Sequence, residues 1–206
     1  MRVVVYFGGL KQAKEMYYRG RKIKEAWYGG ERVFSGGKPV EVMPPISGSG
    51  WDARDWLRSK LEEYGENYKT VTEIPFEIDT GEATSMRGMF AFCSSLTVVP
   101  EMDTSRVDNM AYMFSTCESL TTVPPMDTRN VTSMAYMFRD ARNITYIPDL
   151  STGGVRSLIY MFYGCARLTD GNVRLIGKRS FASVGSMIEG SGLTREPFYN
   201  SSGRPI

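Results

Sequence analysis

The chain has 206 residues, 42% of them hydrophobic, and a net charge of +2. That suits one large or two small packed domains and excludes a disordered chain. The balanced charge gives no electrostatic grip on nucleic acid, and the lack of any histidine removes the commonest general base and metal ligand. Catalysis by Asp/Glu, Lys or Cys stays open to such a chain, but no metal, cofactor or catalytic role is expected.

Residues 1–38 read as a small antiparallel β-meander, a β-rich domain of its own. Arg2–Phe7, about 10–18, about 22–28 and Glu31–Phe34 are the strands, and Gly8-Gly9, Gly20, Gly29-Gly30 and Gly36-Gly37 mark the turns. Lys11 to Tyr17 has helical propensity, but its short length between two turn signals favours strand. Lys11, Lys14, Arg19, Arg21, Lys22 and Lys24 make one face basic, either simply solvated or set against an acidic partner. So small a sheet has a thin core, so it is expected to lean on the rest of the chain or on another copy. The apolar run Val3–Phe7 is far too short to span a bilayer, and Met1-Arg2 runs into Gly8-Gly9 without the apolar stretch of a secretory signal.

Residues 39–50 read as a linker, with Pro44-Pro45 and Ser47-Gly-Ser-Gly50 as a flexible joint. Residues 51–70 hold a helix from Trp51 to Tyr64, stopped by Gly65. Its apolar face is Trp56, Leu57, Leu61 and Tyr64, and it is placed to cap the C-terminal part of the chain. Glu62, Glu63 and Glu66 are the densest carboxylates outside the repeats, and a solvated helix face explains them better than acid–base catalysis does.

Residues 71–206 are dominated by an internal repeat. Met-Phe recurs at 89–90, 113–114, 137–138 and 161–162, each pair 24 residues after the last. Met86, Met110, Met134 and Leu158 keep the register, as do Cys93, Cys117, Ala141 and Cys165. Leu96-Thr97, Leu120-Thr121, Ile144-Thr145 and Leu168-Thr169 come next, then Pro100, Pro124 and Pro148, then Asp103-Thr104, Asp127-Thr128 and Ser151-Thr152. Pro75 with Asp79-Thr80 is an incomplete first copy, and Val184, Met187 and Leu193-Thr194 a shortened last one. Such a period predicts stacked supersecondary units around a shared core, that is, a solenoid with a C-terminal cap.

Within a unit, Met86, Met89, Phe90 and Cys93 have the spacing of one face of a short helix, with Asp108 and Thr132 as caps of two such helices. Leu96–Val99 and Leu120–Val123 read as strands ended by proline. Asp-Thr then favours a side-chain-to-backbone turn. The cysteines share one position where alanine once replaces them, which suits a reduced core rather than a disulfide or zinc site. The methionines read as core for the same reason.

Candidate binding residues are those that recur on the surface. Thr97, Thr121 and Thr145 stand on strands, where Val99, Glu101, Val123, Pro125, Ile147 and Asp149 are further candidates; one parity must face inward. Tyr112, Tyr136 and Tyr160 recur before each Met and form an aromatic ladder suited to sugars or to a protein partner, or a cover for the helix surface.

The unit Asp103-Thr104, Val107, Met110, Met113-Phe114, Cys117, Leu120-Thr121 resembles the leucine-rich repeats of BspA-like bacterial surface proteins, over about half of the chain. The resemblance implies a parallel sheet on one solenoid face, used in adhesion and recognition, and no catalytic residues. The fold expected is therefore α+β: a small N-terminal antiparallel β-meander, a capping helix and a leucine-rich-repeat-like α/β solenoid. Tyr18 to Trp27 and Tyr28 to Phe34 resemble segments of minor tail proteins of phages that infect actinobacteria. That implies a virion component made in the host cytoplasm, attached through Tyr18, Trp27, Tyr28 and Phe34. Its partners would be other virion proteins and a host-envelope component, with no membrane span and with homo-oligomerisation expected. The alternatives are a capsid decoration protein and a cellular adhesion or scaffold module.

Overall fold

The computed structural model describes residues 27–28, 31–32, 40–46, 50–177, 183–200, 202 and 204–205. Most of the expected meander lies outside the described residues. Within it, β1 (Trp27–Tyr28) pairs antiparallel with β2 (Glu31–Arg32).

From residue 40 onward, one buried apolar cluster runs from Met43 to Phe198. Its first layer comes from the segment expected to be a linker. β3 (Val40–Val42) pairs in parallel with β4 (Glu77–Asp79). Met43 is buried and donates its N–H to Asp79 O at 2.8 Å. The Ile46 carbonyl accepts from Thr84 and Ser85 at 3.0 Å each. Residues 40–46 thus stand where a preceding repeat would stand, because the first unit has backbone groups on that side that need partners. Residues 47–49 of the expected joint lie outside the described residues.

Helix α1 (Asp52–Glu63) begins beside Trp51 and ends at Tyr64, with Gly65 in the left-handed region at φ 77°. Glycine takes that conformation without a Cβ clash, which is why the helix stops there. Asp52 and Asp55 sit in its first turn and Lys60 in its last, the order that the helix dipole favours. Ala53, Leu57 and Leu61 are buried, and Tyr64 packs on Phe76 with ring centroids 4.9 Å apart.

The repeats stack unit on unit, and the short helix expected around Met-Phe is absent. Turn bonds run Met89 N–H to Met86 O, Ala91 N–H to Gly88 O and Cys93 N–H to Phe90 O. Alternate N–H groups point instead to the next unit: Met86, Gly88, Phe90 and Phe92 donate to the carbonyls of Asn109, Ala111, Met113 and Ser115 at 2.8–3.0 Å. Two left-handed residues per unit make this possible: Gly88 and Phe92, Tyr112 and Thr116, Tyr136 and Asp140, Tyr160 and Gly164, Ser186 and Gly190. A non-glycine residue loses about 1–2 kcal/mol there, and the inter-unit hydrogen bonds offset it. Helical spacing of the apolar residues is thus satisfied by a folded tape with the same inward face. Asp108 and Thr132 are not caps either. The Asp108 carbonyl accepts the N–H of Thr132 at 2.7 Å, one rung of a column that continues through Arg156 and Ser183.

The stretches expected to be strands, Leu96–Val99 and Leu120–Val123, contribute only isolated parallel bridges, Glu73 to Val98 and Thr122 to Tyr146. Regular pairing appears further along the unit, where β5 (Leu150–Ser151), β6 (Leu175–Ile176) and β7 (Phe198–Tyr199) form a parallel three-stranded sheet.

Inside the stack each position forms a column. Phe90, Phe114, Phe138 and Phe162 are fully buried and lie ring on ring, with centroids 5.5, 5.4 and 6.0 Å apart. Cys93, Cys117 and Cys165 are free and buried, and burial pushes the Cys93 and Cys165 thiols up to about 12. The Cys117 and Cys165 thiols donate to the carbonyls of Phe90 and Phe138 at 3.1 and 3.0 Å.

The Asp-Thr corner carries its own column. Each aspartate accepts the N–H two residues on: Gly81 to Asp79, Ser105 to Asp103 and Arg129 to Asp127, at 2.9–3.1 Å. Each buried threonine hydroxyl donates to a carbonyl of the next unit: Thr80 to Asp103, Thr104 to Asp127 and Thr128 to Ser151. The series ends at Thr152, whose buried hydroxyl has no partner among the described residues.

Candidate recognition surface

Two in-register columns at the surface are candidates for recognition. The first is the tyrosine ladder. Tyr112 and Tyr136 stack with centroids 4.5 Å apart, and Tyr136 and Tyr160 at 5.1 Å. Tyr163 meets Tyr160 edge-on at 5.4 Å. All four are half-buried. The rings stack because each ladder tyrosine holds the same left-handed position in its unit, so their Cα–Cβ bonds are parallel from layer to layer.

The first unit has Gly88 at that position, and Trp51 takes the missing place. A Cβ on Gly88 would collide with the Trp51 ring. Trp51 continues the ladder against Tyr112 at 5.2 Å, tilted by 53°. The Arg54 and Arg87 guanidiniums lie over Trp51 at 4.5 and 4.7 Å, and Arg87 also covers Tyr112 at 4.9 Å. Arg139 stands 5.8 Å from both Tyr136 and Tyr163. Burial first, then the neighbouring Tyr136, raise the Tyr112 phenol above its ordinary range.

This geometry narrows what the ladder can bind. Tyr136 has one face against Tyr112 and the other against Tyr160, so no sugar ring can stack on it. The ladder offers ring edges, phenol hydroxyls and the flanking arginines.

The second column is open. Thr97, Thr121 and Thr145 are exposed, and so are their neighbours Val98, Thr122 and Tyr146. Val98 and Tyr146 are 54% and 51% exposed, among the most exposed large apolar side chains described. The next residues, Val99, Val123 and Ile147, are buried, and Glu101, Pro125 and Asp149 are exposed again. The three inward residues are therefore removed from the candidate surface. The threonine hydroxyls partly serve the stack: Thr97 donates to Thr72 O at 2.9 Å and Thr145 to Thr121 O at 3.2 Å. Asp149 and Arg174 close one border with an exposed ion pair, Nε to Oδ1 2.8 Å.

Sequence reasoning missed Val98, Thr122 and Tyr146, because strict alternation would turn them inward beside outward Thr97, Thr121 and Thr145. It also missed Trp51, which precedes the array and shares no register with it; the one available signal was glycine at position 88 where later units have tyrosine. Of the expected attachment residues, Trp27 and Tyr28 form β1, while Tyr18 and Phe34 lie outside the described residues. Among the described residues no cluster of metal-ligand type occurs, and no helix is long and apolar enough to cross a membrane.

Residues 84–195, more than half of the chain, match the family described as Mycoplasma protein of unknown function, DUF285. The chain belongs to the DUF285 family. The match covers every full unit of the tyrosine and phenylalanine columns and agrees with the BspA-like character of the repeat. Comparison with curated proteins and with solved structures gives no match. The matched stretch starts at Thr84, so α1, Trp51 and residues 40–46 lie outside it.

Proposed function

We propose that the chain is a bacteriophage virion structural protein, a minor tail protein of the tail tip, whose DUF285 units form a recognition solenoid. In this reading the β-rich N-terminal segment attaches to other virion proteins. The stack meets a protein or host-envelope component, and the chain acts as a homo-oligomer without catalytic function. The attachment half rests on the tail-protein resemblance of Tyr18 to Phe34. The recognition half rests on one observation: an exposed strip, Thr97-Val98, Thr121-Thr122 and Thr145-Tyr146, repeats at a fixed spacing on stacked units. Side chains held in place by stacked units lose little freedom on binding, which favours a repetitive ligand surface.

Mass spectrometry of purified particles tests the attachment half, and a chain absent from virions ends it. The strip is tested by the combined substitution Val98→Ser, Thr122→Ala and Tyr146→Ser. Folding should persist and adsorption to host cells should fall, whereas unchanged adsorption removes the strip from the recognition surface.

The BspA-like character of the repeats supports a second reading, a cellular adhesion or scaffold module, since such repeats are those of bacterial surface proteins. Detection of the chain on the producing cell surface rather than in particles supports it.

A further inference from the structure

The hydrogen bonds that join the units have a direction. In four successive units the N–H groups of the folded tape point toward the C-terminal side. Leu158, Tyr160, Phe162 and Gly164 donate to Ser183, Gly185, Met187 and Glu189 at 2.8–3.0 Å, as three units before them do. In the last unit the equivalent residues are Val184, Ser186, Ile188 and Gly190. Its turns are formed, with Met187 N–H on Val184 O and Ser191 N–H on Ile188 O. Ser186 and Gly190 hold the same left-handed conformations as their counterparts. Yet the four N–H groups have no acceptor among the described residues. The neighbouring edge at the same end is closed: Tyr199 bridges Pro205, and Asn200 N–H donates to Arg204 O at 2.9 Å.

The opposite end is covered. Arg58 Nη2 donates to Ala91 O at 3.3 Å, Trp51 lies on Gly88, and Ile46 O serves Thr84 and Ser85. Head-to-tail stacking of two copies is therefore blocked at the head, and tail-to-tail contact would set donors against donors. The open edge also carries Val184 and Ile188, partly buried against the core, where Ile188 replaces the phenylalanine of earlier units. Glu189 within the edge disfavours a free anion.

We propose that the tape Val184–Gly190 is a docking edge for a segment of another protein. That segment adopts the folded conformation of the repeat, brings four alternate backbone carbonyls to these N–H groups, and lays an apolar side chain over Ile188. The occupant's chemistry is that of the acceptor side of any unit in this stack, seen four times within the chain. Unpaired edges of this kind are what added strands use.

The experiment uses the full chain, 15N-labelled, and a synthetic peptide of residues 107–120 carrying C117S as the acceptor probe. The amides of Val184, Ser186, Ile188 and Gly190 should shift saturably and gain at least about tenfold protection from exchange, while those of Tyr112 and Tyr136 stay unchanged. Ile188→Glu places a charge on the apolar contact and should abolish the shifts with the fold intact, read from unaltered Tyr112 and Phe114 signals. Ile188→Pro removes one donor and should weaken the peptide by the same readout. The proposal is overturned by any of three results: no shift at millimolar peptide, protection of these amides in the free chain equal to that of Leu158 to Gly164, or equal shifts with inorganic sulfate alone.

Discussion

Two aromatic columns run through this molecule at the same 24-residue register, and they serve different ends. The phenylalanines 90, 114, 138 and 162 are buried and stack at 5.4–6.0 Å. The tyrosines 112, 136 and 160 stack at 4.5–5.1 Å but remain half-exposed on left-handed backbone. Regular stacking is therefore no sign of burial. It comes from repetition alone, and what separates core from surface is whether anything lies outside the ring. The inner column holds the stack by apolar burial, and the outer one accepts backbone strain in return for ring contacts and an arginine-flanked edge.

The largest break in this comparison is Phe114→Ala. It empties a site between two buried rings and is expected to cost about 3–5 kcal/mol in denaturant unfolding. A cost near that of the tyrosine substitutions would show that the inner column is not the core.

The threonine column gives the next contrast. Thr128 donates to Ser151 O and accepts the Ser151 N–H at 2.7 Å, so Thr128→Val should lose about 1–3 kcal/mol. Thr152 has a buried hydroxyl without a partner among the described residues, so Thr152→Val should be neutral or stabilising. Equal losses at both would mean that hydrogen bonding is not what distinguishes them.

In the outer column Tyr136→Ala should cost about 1–2 kcal/mol through lost ring contacts. Tyr136→Gly should cost less than Tyr136→Ala, since glycine takes φ 60° without a Cβ penalty. The usual order, with glycine the worse, would contradict the left-handed assignment.

The smallest effect is at the surface corner. Arg129 first, through its side chain and then its N–H, holds the Asp127 carboxyl at about 2, below the usual 3.8. A depressed folded value stabilises above pH 3.8 and is lost as the pH falls toward 2. Thermal unfolding across that window should show a small decline that Asp127→Asn reduces. Identical profiles would mean that the carboxylate contributes nothing to stability.

The register, the inward face and the Asp turns were legible in the sequence because repetition fixes them whatever the local backbone. The local backbone was not legible. Met86, Met89, Phe90 and Cys93 present one face on a helix and equally on a tape of turns, and apolar spacing cannot tell these apart. Composition gave little warning, because Tyr112, Thr116 and Tyr136 are not residues that announce positive φ; of the four only Asp140 is of a type that visits it. The linker misled for a related reason. Val40 to Ile46 lacks the repeat's residue pattern, yet the first unit needs hydrogen-bond partners and an apolar cover, and this segment supplies both. Within the candidate surface, the threonines were found by recurrence, while Val98 and Tyr146 were hidden by an alternation that bridges of single residues do not enforce.

A tape whose alternate amides join one unit to the next is the centre of this fold, and amide NMR of the folded chain tests it most directly. Left-handed backbone shifts are expected at Tyr112, Thr116, Tyr136 and Asp140, with slow exchange at Met110, Tyr112, Phe114 and Thr116. Continuous helical shifts from Met110 to Cys117, with amides protected through bonds four residues back, would contradict it.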